Sequence, residues 1–177
     1  LELSSHDRPV DILHDGFDCV IRTGALPEDG VIARPLGKLT MVNCASPHYL
    51  TRFGYPQSPD DLTSHAIVRY TPHLGVHPLG FEVASVNGVQ WFKSGGMLTV
   101  NSSENYLAAG LAGLGIIQIP RIAVREALRA GRLIEVLPGY RAEPLSLSLV
   151  YPQRRELSRR VNLFMQWLAG VMKEYLD

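Results

Sequence analysis

Residues 98 to 120 read LTVNSSENYLAAGLAGLGIIQIP, with three small polar residues, Asn101, Ser102 and Ser103, between an apolar run and a helix-like run. A helix starting there needs one capping side chain, and Asn101 with Glu104 three residues later approaches a capping box. One cap uses one residue. The surplus, set beside the unpaired N–H groups of a helix N-terminus, suits an anion or a polar ligand. Arg22, Thr23 and Gly24 close the apolar run DCVI. An arginine there either grips a carboxylate bidentately or pairs with a neighbouring Asp or Glu. Ser46 precedes Pro47, so its hydroxyl caps a helix and is also offered to a ligand. Gln118 stands alone between Ile117 and Ile119 and requires a hydrogen-bond partner, in the backbone or in a ligand.

Other chemistries find less support. Cys44 with His48 lacks an orienting acid, Cys44 lies in an apolar strand, and there is no G-x-S-x-G elbow, so no catalytic residue is expected. His73 and His77 have the spacing of metal ligands, yet LGV between them and Pro78 after them read as loop, and no Cys or acidic cluster completes a site. No metal and no cofactor is expected. The glycines of LAAGLAGLG fall late in a helix and no Lys-Ser/Thr follows, which excludes a phosphate loop; they read as close helix-to-sheet packing with a stop at Gly115. Arg154, Arg155, Arg159 and Arg160 read as a solvated face.

The totals agree with a ligand-binding rather than a nucleic-acid-binding chain. Lys plus Arg and Asp plus Glu are 17 each among 177 residues, so no field of one sign draws in DNA or an anionic membrane. Cys19 and Cys44 sit in apolar runs, as free thiols in a reducing compartment do. No stretch is long and apolar enough to span a bilayer, and LELSSHDRPV lacks the features of a signal peptide. A cytoplasmic location is expected. The chain opens without Met on strand-like alternation, which reads as part of a longer protein.

The elements that position these residues alternate in type. Asp7 is a candidate N-cap for a short helix with Val10 and Leu13 inward and Gly16 as its stop. FDCVIR reads as a strand, and VIARPLGKLTMVNCAS as two strands turning at Gly37 and Lys38. Ser46-Pro47 and Ser58-Pro59 each signal a helix start, with Gly54 ending the first. AIVRY, GFEVAS and VQWF are strand candidates. A helix follows the polar triplet, another spans 121 to 130 and stops at Gly131, RLIEVL and LSLSLVY are strands, and Ser158 caps a last amphipathic helix. Leu157, Val161, Phe164, Leu168, Val171 and Tyr175 share its apolar face. The order implies an α/β protein, whose ligands bind beyond strand carboxyl ends and at helix N-termini.

GFDCVIRTGALPEDGVIARPLGKLTMVNCASPHYL, MLTVNSSENYLAAGLAGLGIIQIP, LRAGRLIEVLPGY and YPQRRELSRRVNLFMQWL follow one another in an order that resembles the effector-binding domain of LysR-type transcriptional regulators. The resemblance covers nearly the whole chain. It implies a type 2 periplasmic-binding-protein-like fold of two α/β subdomains, residues 1–45 plus 147–177 and residues 46–146, joined by crossovers near Cys44 to Pro47 and Pro144 to Leu147. It further implies a small effector between the subdomains, against Arg22, Thr23, Gly24, Ser46, Asn101, Ser102, Ser103 and Gln118, and no enzymatic activity. The family's winged helix-turn-helix, its linker helix and the first strand and helix of subdomain I are expected outside this chain. DNA would then be bound only through that N-terminal part, in a homodimer or homotetramer. A solute-binding protein of a transport system with the same fold is the alternative.

Overall fold

In the computed structural model of the chain, residues 1–8, 10–24, 30–75, 80–96, 98–153 and 157–176 are described. The elements are β1 Val20–Thr23, β2 Val31–Leu39, β3 Met41–Ala45, α1 Pro47–Phe53, a 3-10 helix Pro59–Thr63, β4 Arg69–Tyr70, β5 Phe81–Ser85, β6 Gly88–Phe92, β7 Thr99–Val100, α2 Ser103–Leu111, β8 Ile117–Pro120, α3 Arg121–Arg129, β9 Ile134–Glu135, β10 Leu145–Pro152 and α4 Arg159–Met172. The chain divides into two compact units, Leu1–Arg8 with Met41–Glu143 and Pro9–Thr40 with Pro144–Asp177.

The first unit is built on the antiparallel sheet β8-β3-β9. Successive strand side chains point to opposite faces, and β3 has apolar neighbours on both. Val42 and Cys44 join Tyr106, Ala109, Ile117, Ile119, Val124 and Leu133 in one cluster, whereas Ala45 joins Tyr49, Leu50, Leu62, Phe81 and Val136 in another. Helix α2 approaches β8 so closely that a Cβ on Gly110 would stand 2.6 Å from Ile117 Cδ1. The helix stops at Gly113 rather than at Gly115: Gly113 has φ +77°, Leu114 N–H donates to Ala109 O, and Gly113 N–H donates to Gly110 O. That is a Schellman ending. Gly115 serves close approach instead, because a Cβ there would meet Ala66 O at 2.6 Å. Helix α3 ends in the same way at Gly131, where Arg132 N–H donates to Ala127 O. The Ser58-Pro59 signal starts a 3-10 helix, in which Asp61 accepts from the N–H groups of Gln57 and Ser58.

The second unit holds the antiparallel sheet β1-β10-β2. Strand β2 runs straight through Gly37 and Lys38, where the sequence suggested a turn. The register shifts there, Leu147 facing Gly37 and Ser148 facing Pro35, so a β-bulge absorbs the extra residue and β2 continues to Leu39. Among the described residues no helix lies between Asp7 and β1. Residues 11 to 15 form a single turn, with Asp15 N–H donating to Asp11 O and the Asp11 carboxylate accepting from Leu13 and His14. Ile12 is the buried residue of that turn and Leu13 is exposed.

Helix α4 begins behind Ser158, whose Oγ accepts from Val161 N–H. It is less enclosed than its periodicity suggested. Met165 is its one fully buried residue; Leu157, Val161, Phe164 and Leu168 are half-buried, and Val171 and Tyr175 are exposed, as are Leu163 and Trp167.

Candidate functional site

Ser102, not Asn101, is the N-cap of α2. Its backbone is extended and its Oγ accepts from Asn105 N–H at 3.5 Å. Glu104 is therefore one position too early to complete a capping box with Ser102. Tyr106 N–H makes the first intrahelical bond, to Ser102 O. The N–H of Ser103 is directed elsewhere, onto the carboxylate of Asp7, 96 residues away in sequence, at 2.5 Å. Asn101 and Ser102 are half-buried and Ser103 is exposed. The side chains of Asn101 and Ser103 make no hydrogen bond among the described residues, so polar groups stand open at a positive helix end that already holds one carboxylate.

Gln118, half-buried on β8, is engaged within the protein. Its Nε2 donates to Asn43 Oδ1 at 2.9 Å and to Glu82 O at 2.8 Å. Asn43, fully buried, donates from Nδ2 to Leu137 O at 3.2 Å and to Tyr140 O at 2.9 Å. The backbone of Gln118 meets Tyr106, whose hydroxyl accepts from Gln118 N–H at 2.9 Å. Burial pushes the Tyr106 phenol up to about 12, so it is a neutral hydrogen-bonding post. The partner that Gln118 required is thus a side chain and a strand backbone.

Ser46 is 2% exposed and its Oγ accepts from Tyr49 N–H at 3.2 Å, capping α1. It sits against the C-terminal turn of α2, since a Cβ on Gly113 would lie 3.0 Å from Ser46 Oγ. Arg22, Thr23 and Gly24 belong to the second unit, at the end of β1, where Gly24 N–H donates to Ser146 O. Arg22 is half-buried opposite Ser148 and has no ion pair among the described residues. The structure thus gathers Asn101, Ser102 and Ser103 at one helix end, places Gln118 and Ser46 at other points of the same unit, and puts Arg22 to Gly24 in the other.

Cys44 is fully buried, and burial raises its thiol to about 12, with the charge of Glu135 adding to the rise. Such a thiol is protonated and inert. Among the described residues no group of three His, Cys, Asp or Glu side chains is placed to hold a metal ion. His77, Arg154 and Arg155 lie outside the described residues. Among the described residues no helix is long and apolar enough to cross a membrane.

A family model, LysR substrate binding domain, matches residues 1–173. The chain belongs to this family. It is 99% identical over its whole length to the HTH-type transcriptional regulator YhjC of Escherichia coli (strain K12), covering 59% of that protein. It is 31% identical over 93% of its length to the HTH-type transcriptional activator AaeR of Escherichia coli (strain K12), covering 52% of it. Among solved structures, the regulatory domain of CrgA, a LysR-type transcriptional regulator from Neisseria meningitidis, superposes with a TM-score of 0.78 at 25% identity, over 90% of this chain and 78% of that one. The chain therefore spans little more than half the length of these curated relatives. It is the effector-binding domain of a LysR-type regulator, of type 2 periplasmic-binding-protein-like fold. Regulators, not transport proteins or enzymes, are what these relatives are named, and the solute-binding alternative draws no support from them.

Two features of this LysR domain escaped sequence reasoning. Asn43 reads as one polar residue in an apolar strand, a signal equal to that of Gln118, and the register Asn43 opposite Gln118 is what joins them. Asp7 read as the cap of its own downstream segment, and no local signal pointed to Ser103.

Proposed function

We propose that this domain senses a small carboxylate-bearing effector, received at the N-terminus of α2 by Ser103 N–H and the side chains of Asn101 and Ser102, with Arg22 as a second charge contact. One observation carries the reading: the first-turn N–H of α2 donates to a carboxylate, that of Asp7, with open polar side chains beside it. The N–H groups and dipole of a helix end favour a carboxylate over a neutral or cationic group. Ser46, Thr23, Gly24 and Gln118 complete the residues assigned to the effector, the first and last through the helices and strands they brace. In the intact regulator, a homodimer or homotetramer, DNA is bound through an N-terminal domain outside this chain. Effector that binds one arrangement better biases the population of arrangements, by no more than its differential affinity for them.

Thermal denaturation against small carboxylates, each paired with its neutral amide, tests the reading. A ligand at about 100 times its dissociation constant adds about 2.7 kcal/mol, a rise of several degrees for a chain of this size. The expected result is stabilisation by a carboxylate, absent with its amide and lost in Arg22→Ala and Ser102→Ala. Equal stabilisation by carboxylate and amide refutes the carboxylate reading.

A further inference from the structure

Helix α4 carries more apolar surface than its own unit covers. Its inner face holds Met165, buried, with Val161, Leu168 and Met172 half-buried. A second apolar row faces away from them: Leu163, Trp167 and Val171 are 56%, 61% and 38% exposed. Arg160 precedes that row and Glu174 follows it, both exposed. Steps of three and four residues keep all five on one side of the helix. The helical course continues past Met172, since Glu174 N–H donates to Val171 O and Tyr175 N–H to Met172 O. Asn162, Gln166 and Lys173 separate the two apolar rows on one flank; on the other the Phe164 ring, 5.7 Å from that of Trp167, joins them. A surface helix ordinarily has one apolar stripe backed by a polar face, and a second one marks a contact.

The order of residues along the row decides what fits it. Arg160 and Glu174 stand seven residues before and after Trp167, and Leu163 and Val171 four before and after it. Among the described residues neither Arg160 nor Glu174 has an ion pair. An antiparallel copy of the helix centred on Trp167 therefore sets Arg160 level with the partner's Glu174, twice by symmetry, and Leu163 level with the partner's Val171. A parallel copy would set like charges together. We propose that the outer row of α4 is a self-association surface, on which a second copy of this chain packs its own α4 antiparallel about Trp167. Such a contact is isologous and closes at two copies. Gly170 lies at its edge, with nothing within 4 Å of the place of a Cβ, so the backbones can approach closely there. Interfaces below about 1,200 Å² are weak and transient, and a single helix row belongs to that class. The proposal is independent of the effector reading, because none of these residues is assigned to the effector.

Sedimentation equilibrium of the chain from about 10 μM to about 1 mM tests the surface, with far-ultraviolet circular dichroism to check that each variant is folded. The wild type is expected to pass from monomer to dimer in that range. Trp167→Ala is expected to raise the dissociation constant roughly tenfold or more, as the loss of a central aromatic anchor does. Arg160→Glu and Glu174→Arg are each expected to weaken the dimer roughly two- to thirtyfold, because two exposed ion pairs are lost by symmetry. Mixed in equal amounts, these two variants are expected to associate more tightly than either alone, since each chain then offers one sign at both ends of the row and its partner the other. A chain that stays monomeric at about 1 mM overturns the proposal and points to a segment of the longer regulator as the occupant of the row. A dimer indifferent to Trp167→Ala forms through another face and overturns it too. A dimer lost in Trp167→Ala whose charge variants fail to complement each other overturns the antiparallel arrangement.

Discussion

Replacing Asn43 with Ala removes three hydrogen bonds at the centre of the first unit. Two are donated by Asn43 Nδ2, to Leu137 O and Tyr140 O, and one is accepted by Asn43 Oδ1 from Gln118. The three groups left behind are not equivalent. Tyr140 is 39% exposed, so water can reach its carbonyl. Gln118 Nε2 keeps its bond to Glu82 O. Leu137 is 3% exposed, and its carbonyl keeps the bond donated by Tyr140 N–H at 2.9 Å. Each of the three lost bonds costs about 0.5–1.5 kcal/mol, which places the total at about 1.5–4.5 kcal/mol. Leu137 also holds a left-handed backbone, φ +49°, and Asn43 pins the turn that contains it; this adds to the loss rather than offsetting it. Urea unfolding followed by far-ultraviolet circular dichroism measures the change, with a constant m value as the check that the unfolded state is unaltered. Gln118→Ala and the double variant complete a cycle, in which a coupling of about 0.5–3 kcal/mol is expected for directly bonded side chains. A loss under about 0.5 kcal/mol for Asn43→Ala, the range of ordinary surface changes, refutes the reasoning.

Three further outcomes are expected. His65 is buried with its Nδ1 3.0 Å from Tyr49 Oη, and burial lowers its pKa from the ordinary 6.5, against the attraction of Asp61. The folded state thus binds its proton less readily than the unfolded state, and stability falls as pH drops below 6.5 towards the lowered value; unfolding free energy measured against pH is expected to lose this slope in His65→Gln. Gly115→Ala is expected to cost more than Gly131→Ala, because its Cβ would meet backbone at 2.6 Å whereas Gly131 has open space and only its φ of +66° to oppose a side chain; melting temperatures should reflect about 3 kcal/mol against about 1 kcal/mol. Cys44 is expected to react with a thiol reagent only as the domain unfolds, and Cys19, less buried, to react first; equal rates in the native protein contradict the burial argument.

Helix ends were the most legible features. Ser46-Pro47, Ser158, Gly54 and Gly131 all act where the sequence places them, because capping is a matter of residues within one turn of each other. Asn101 and Gly115 misled by one and two positions: neighbouring residues offer the same local chemistry, and the choice depends on which backbone turns first. The turn suggested at Gly37 became a bulge because β2 and β10 remain paired beyond it, a pairing between residues more than a hundred positions apart. For the same reason the apolar stripe of α4 announced a helix and its inner side, but not how much of it would be covered.

The chain order of motifs by itself determined the family, the α/β class and the polar start of α2, since these depend on periodicity, caps and a succession of short patterns. The tertiary structure alone decided that Gln118 is held by Asn43 and Glu82, that Ser46 faces the end rather than the start of α2, and that Asp7 covers Ser103. A hydrogen bond is satisfied by whichever group folding brings within reach, and the partner of a polar residue is therefore a property of the register and crossing of distant segments, which no local pattern encodes.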